Sequence, residues 1–227
     1  MRKLYGIGIG PGDPELLTLK ACRILKEVDM IVAPRSRLDK RSLALFVVEK
    51  VLDMKGKIVI EPVFPMTKEE DKLSLYWNKA RKEVLEKASS CEVVAFITLG
   101  DPSLYSTFYK FLDIFKDEVE EVEVIPGITS FSACSAIAKV PIAEGDEIFS
   151  IIPDIGEGNA VRIMHDSDSL IFLKPKDIIR IREIIGDREA ILGVKLGLEG
   201  QKMIFGKLSE MEKPIYLSTL IVKKGEE

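Results

Sequence analysis

Cys91-Glu92-Val93-Val94-Ala95-Phe96-Ile97-Thr98-Leu99-Gly100-Asp101-Pro102-Ser103-Leu104-Tyr105 is the stretch that decides how the chain is read. The apolar run Val93 to Ile97 has the length and character of a strand covered on both faces. It enters a Gly-Asp-Pro turn, and a helix is predicted over Tyr105 to Phe115. A strand-loop-helix unit of this kind leaves its polar atoms beyond the strand's carboxyl end, where open α/β sheets collect ligands. Asp101 stands there, either as a ligand contact or as the cap of a helix beginning near Ser103.

The same pattern recurs on both sides. Leu4 to Ile9 is predicted as a first strand, followed by Gly10-Pro11-Gly12-Asp13-Pro14. Asp13 as N-cap and Pro14 as first helical residue would then start a helix with Leu17, Ala21, Ile24, Leu25 and Val28 on one face. A dinucleotide fingerprint fails here, because G-x-G-x-x-G begun at Gly6 meets Pro11 and begun at Gly8 meets Asp13. The acid expected after the second strand is also missing, since Asp29 precedes Met30-Ile31-Val32-Ala33. Farther on, Val122 to Ile125 is a predicted strand leading into Pro126-Gly127-Ile128-Thr129-Ser130, where small hydroxyl residues again meet a helix start.

Between these units lie a helix around Ser42 to Leu52, a strand around Lys57 to Val63, the break Phe64-Pro65-Met66 and a long helix from Glu69 to Ala88. That helix carries Leu73, Tyr76, Trp77, Ala80, Val84 and Leu85 as a stripe suited to core or to a dimer interface. Alternating strands and helices make the first half a parallel sheet. After Pro141, strands are predicted at Ile148 to Pro153, Leu170 to Leu173, Ala190 to Lys195, Gln201 to Lys207 and Ile215 to Val222. The last of these follow one another without a helix, which makes the second sheet partly antiparallel. The expected fold class is therefore α/β with two domains, 1–140 with a mostly parallel sheet and 141–227 with a mixed one, separated by a cleft.

Composition narrows the functions. The chain has 227 residues, 46% apolar and 31% charged, as expected of a soluble enzyme. A net charge of −4 weighs against a general nucleic-acid binder. Cys22, Cys91 and Cys134 form no C-x-x-C pair and read as reduced core thiols. With no leader and no apolar run long enough for a membrane span, the expected location is the cytoplasm. No metal site is expected. The cationic cluster Arg35, Arg37, Lys40 and Arg41 follows a strand's carboxyl end and suits a polycarboxylate substrate, unless it is simply a solvated loop.

Three strand-end loops together resemble the tetrapyrrole methylases, which are S-adenosylmethionine-dependent methyltransferases of corrin and porphyrin precursors. The matching residues are Gly8-Ile9-Gly10-Pro11-Gly12-Asp13-Pro14 with Leu17-Thr18-Leu19-Lys20, then Gly100-Asp101-Pro102, then Pro126-Gly127-Ile128-Thr129-Ser130. The resemblance implies a two-domain homodimer holding S-adenosyl-L-methionine, with S-adenosyl-L-homocysteine as product, in the interdomain cleft. It implies cofactor contacts at Pro11, Gly100, Asp101, Leu104, Thr129 and Ser130, and from the second domain at Lys174 and Leu196. The stretch Leu99 to Phe108, the break at Phe64 and Ala143-Glu144-Gly145-Asp146-Glu147 resemble the members that methylate C20 of precorrin-2 or cobalt-factor II in cobalamin synthesis. A tetrapyrrole substrate would then meet Arg35, Arg37 and Tyr105. Sister enzymes acting at C11, C17 or on uroporphyrinogen, diphthine synthase-like methyltransferases, and a non-catalytic binding module are the alternatives. The catalytic base stays unassigned: His165, predicted in a polar loop, Tyr105 and Glu144 have no pattern that singles one out.

Overall fold

The computed structural model describes residues 1–64, 69–152 and 159–225. Pro65, Met66 and Pro153 lie outside the described residues. The chain divides into two compact units, Met1–Ile128 and Thr129–Glu227. This division falls just ahead of the helix that starts at Ser130.

In the first unit, β1 (Lys3–Gly8), β2 (Met30–Val32), β3 (Ile58–Ile60), β4 (Val93–Thr98) and β5 (Glu121–Ile125) form a wholly parallel sheet in the order β3-β2-β4-β1-β5. Four helices connect them: α1 (Leu19–Glu27), α2 (Leu43–Val48), α3 (Glu70–Ala88) and α4 (Phe108–Phe115). Strand alternation sends Leu4, Met30, Val32, Val94 and Phe96 to one face, where they pack with Ala80 and Val84 of α3 and Phe108, Phe111 and Phe115 of α4. Of the stripe predicted on α3, Ala80 and Val84 are fully core and Trp77 stacks on Phe64, with ring centroids 4.0 Å apart.

Two helices start later than their sequence suggests. Asp13 does cap, accepting from the Glu15 N–H at 2.9 Å, but the turn it starts is a short 3-10 segment, Pro14–Leu16. Leu17 is extended, and α1 begins afresh at Leu19 under the Thr18 hydroxyl. Likewise α4 begins at Phe108, not Tyr105. Tyr105 has φ 50°, a left-handed conformation that no helical residue adopts.

The second unit holds β6 (Phe149–Ile152), β7 (Ser169–Leu173), β8 (Glu189–Val194), β9 (Lys202–Lys207) and β10 (Ser218–Lys223) in the order β6-β7-β10-β8-β9. Only β6 and β7 run parallel, so the mixed sheet expected from the helix-free run of strands is present. Helices α6 (Asn159–Asp166) and α7 (Ile178–Ile185) cover one face through Met164, Ile178, Ile181 and Ile185. Helix α5 (Ser130–Ala138) covers the other through Cys134, against Ile171, Ile191 and Ile221. β10 starts at Ser218, not Ile215, because Leu217 has φ 70° and the Ser218 hydroxyl turns back to the Ile215 carbonyl. His165 lies exposed in the last turn of α6, not in a loop.

Among the described residues the three cysteines are free, Cys91 and Cys134 buried and Cys22 half-buried. Burial pushes the Cys134 thiol up to about 11, so it is an inert core group at neutral pH.

Gly6 in the middle of β1 is set by packing. A Cβ there would stand 2.3 Å from Phe108 Cζ, so the α4 ring rests directly on the strand backbone. Gly6→Ala is expected to lower stability by about 1–3 kcal/mol through overpacking. A lower urea midpoint at unchanged slope would show it, with partial recovery when Phe108→Leu is added. An unchanged midpoint would contradict this packing.

Candidate functional site

Strand order locates the candidate site. From β1 the chain moves toward β2 and β3, whereas from β4 it moves the other way, to β5. β1 and β4 are neighbours, so right-handed crossovers send the segments after them to opposite faces of the sheet and open a crevice beyond their carboxyl ends. Gly8 pairs with Thr98, and Ile7 with Ile125, so the loops after β1, β4 and β5 leave at one level.

Those loops are interlocked by backbone alone. Gly100 N–H donates to the Gly10 carbonyl at 2.7 Å, and Gly10 N–H donates back to the Gly100 carbonyl at 3.4 Å. A Cβ on Gly8 would lie 2.6 Å from the Gly100 oxygen, and one on Gly127 would lie 2.2 Å from it. Three main chains therefore meet where side chains are sterically forbidden. Gly100 is different: its φ of +69° favours glycine, but a Cβ would meet only open space. Gly10, which pairs with Gly100, is followed by buried Pro11, and half-buried Leu104 comes four residues after Gly100.

Asp101 is the side chain that ties the junction. Its Oδ2 accepts the Gly127 N–H at 2.9 Å and its Oδ1 accepts the Ser103 N–H at 2.7 Å as well as the Ser103 hydroxyl. Burial alone would push its carboxyl up. The Ser103 hydroxyl and the two N–H groups outweigh that and hold it below the usual carboxylate range. Asp101 thus caps no helix; it closes a turn on its own loop and reaches across to the loop after β5. Gly8, Ser103 and Gly127 were not singled out as site residues from sequence, although the Pro-Gly following a strand was the available signal for Gly127. Tyr105 is 55% exposed and strained, a combination that recurs at binding sites.

The cationic loop is less free than its composition suggests. Arg35 donates from Nε to the Glu61 carbonyl at 2.9 Å and from Nη1 to the Leu38 carbonyl at 3.0 Å, so it braces the loop. Arg37 holds Asp39 by two bonds of 2.9 and 3.0 Å, and Arg41 holds Glu49 in the same way. Two open depressions of this unit lie elsewhere. One runs by Trp77, Lys110 and Asp113; the other by Lys3, Tyr5 and Glu121, where β1 and β5 begin. Neither touches the glycine junction.

The second unit has its own set of candidates. Thr129 caps α5, its Oγ1 accepting the Ser132 N–H at 3.3 Å, and Ser130 Oγ accepts from Thr219 at 2.8 Å. Lys174 and Lys195, just past β7 and β8, have φ 58° and 50°, left-handed for residues that are not glycine. Crowding by protein lowers the Lys174 ammonium below its usual range even though the side chain reaches solvent. Leu196 is 4% exposed and packs with Cys134 and Ile171, which leaves its backbone as the part able to meet a ligand.

Asp101→Asn is expected to cost about 1–3 kcal/mol of stability at pH 7, the scale of hydrogen bonds to a charged acceptor. Because the folded carboxyl titrates below its unfolded value, the wild-type advantage is complete above the ordinary carboxylate range and fades as pH falls through the lowered value. Denaturant titrations of both chains at stepped pH check this; a gap that widens toward acid would contradict it.

The comparisons with known proteins agree with this architecture. The chain is 37% identical, over 99% of its length and 97% of the relative's, to a probable cobalt-precorrin-2 C(20)-methyltransferase of Methanocaldococcus jannaschii. It is 31% identical to the cobalt-precorrin-2 C(20)-methyltransferase of Salmonella typhimurium, over 98% of this chain and 96% of that one. Among solved structures, a putative cobalamin-synthesis-related protein of Corynebacterium diphtheriae superposes with a TM-score of 0.73 at 22% identity, covering 98% of both chains. A uroporphyrin-III C-methyltransferase of Thermus thermophilus, solved with S-adenosyl homocysteine, gives a TM-score of 0.70 at 20% identity over 98% of this chain and 97% of that one. Residues 3–212 match the Tetrapyrrole (Corrin/Porphyrin) Methylases, and the chain belongs to that family.

Proposed function

We propose that the chain transfers a methyl group from S-adenosyl-L-methionine to C20 of precorrin-2 or cobalt-factor II in cobalamin biosynthesis. The observation that carries the donor site is the glycine junction at the β1/β4 reversal, with its one open glycine position. The substrate follows from the full-length likeness to the C(20)-methyltransferases.

The residues fit the donor's chemistry. Buried Pro11 and half-buried Leu104 give apolar walls for a nucleoside, Gly100 offers backbone at close approach, and Asp101 supplies negative charge held ionised at neutral pH. Thr129, Ser130, Lys174 and the Leu196 backbone are proposed as further contacts on the second unit's own surface. When bound, the sulfonium brings a methyl group that is already activated. The protein's part is then to align that carbon with an electron-rich meso carbon and to keep water away, which is where effective molarities of about 10⁵ M or more arise. Arg35, Arg37 and Tyr105 are proposed to meet the macrocycle. Exposed ion pairs such as Arg37–Asp39 are worth roughly 0–1 kcal/mol, so a substrate carboxylate can displace Asp39 at small cost. We also propose a cytoplasmic homodimer, for which light scattering should give a dimer mass; among the described residues no helix is long and apolar enough to cross a membrane.

Incubation with methyl-labelled S-adenosyl-L-methionine and precorrin-2, with and without cobalt, should yield one added methyl at C20 by mass and carbon-13 analysis. Methylation at another position, or none with either macrocycle, would overturn the assignment. Arg37→Ala should raise the substrate KM severalfold and flatten its salt dependence, while Asp39→Ala, which frees the guanidinium, should lower KM. Indifference of KM to both would remove Arg37 from the substrate site.

A further inference from the structure

One hydroxyl pair of the second unit links a proposed donor contact to the sheet beneath it. Thr219 on β10 is 3% exposed, and its Oγ1 donates to Ser130 Oγ at 2.8 Å. Ser130 opens α5, immediately after the cap Thr129, whose own hydroxyl is engaged by Ser132. Thr219 stands opposite Leu173 of β7 and Gly193 of β8. At Gly193 a Cβ would come within 2.8 Å of Cys134 Sγ, so α5 lies hard against this row of the sheet. The Thr219–Ser130 bond is therefore held by core packing on its β10 side, and its geometry is not that of a mobile surface contact.

A hydroxyl has one proton to donate. Because Ser130 Oγ accepts from Thr219, its own proton stays available, and among the described residues no hydrogen bond takes it. We propose that Thr219 is a positioning residue: it fixes Ser130 Oγ as a hydrogen-bond donor toward an acceptor oxygen of the bound methyl donor, without touching that molecule itself. The inference rests on Ser130 being a donor contact, as proposed above.

Calorimetry with S-adenosyl-L-homocysteine as probe tests it. Thr219→Val, which keeps the shape and removes the hydroxyl, should weaken binding about fivefold, the scale of one hydrogen bond. Thr219→Ser should restore wild-type affinity. Ser130→Ala should show a similar loss whether or not Thr219→Val folds, and the double variant should bind no more weakly than Ser130→Ala alone. In turnover, Thr219→Val should raise the KM for S-adenosyl-L-methionine at unchanged kcat, a split that plain loss of folded protein does not produce. Wild-type affinity in Ser130→Ala or Thr219→Val, additive losses, or no rescue by Thr219→Ser would overturn the inference alone. A wild-type chain that does not bind the probe would overturn the donor reading, and this inference with it.

Discussion

Three backbones sharing one point is the constraint on which the rest of the first unit depends. The carbonyl of Gly100 sits so close to Gly8 and Gly127 that a methyl group on either would overlap it. Backbone at that separation leaves no room for adjustment, so the spacing of β1, β4 and β5 and the paths of their three loops are fixed together. Asp101 then acts as the bolt. It gathers two N–H groups and a hydroxyl from two loops into one carboxylate, at the place where unpaired amides would otherwise face the crevice.

This arrangement separates rigidity from access. The positions that must be glycine for packing, Gly8 and Gly127, face inward onto other main chain. Gly100 is glycine for its left-handed turn and faces open space. A ligand approaching there meets peptide edges that are already held in place, which keeps the ordering cost of binding low. Strained Tyr105 stands at the rim, and the second unit repeats the theme with Lys174, Lys195 and Leu217, all left-handed at one end of β7, β8 and β10. Such conformations persist where surrounding structure over-determines them, and they concentrate at sites that bind.

Much of this was legible in the sequence because it is local. The apolar run Val93 to Ile97, the glycine-rich turns at Gly8 to Gly12 and Gly100, and the Pro-Gly at 126–127 each announce a strand end within a few residues. What stayed hidden depends on partners far along the chain. The left-handed turn at Tyr105 that delays α4 to Phe108, and the reach of the Asp101 carboxylate to Gly127, 26 residues away, have no local signature. Pairing of Arg41 with Glu49 and bracing of Arg35 by the Glu61 carbonyl are likewise invisible in composition. Thr219 had no signal, being 89 residues from Ser130 and embedded in an ordinary strand pattern. Nor did the sequence show that Leu196 spends its side chain on the core.

The most direct measurement of the central claim is amide-resolved hydrogen exchange with and without S-adenosyl-L-homocysteine. If the crevice at the strand reversal holds the methyl donor, added protection falls on Gly10 to Gly12 and on Gly100 to Tyr105. Protection confined to the depression at Lys3, Tyr5 and Glu121 or to the groove by Trp77, with the glycine junction unchanged, would contradict the account.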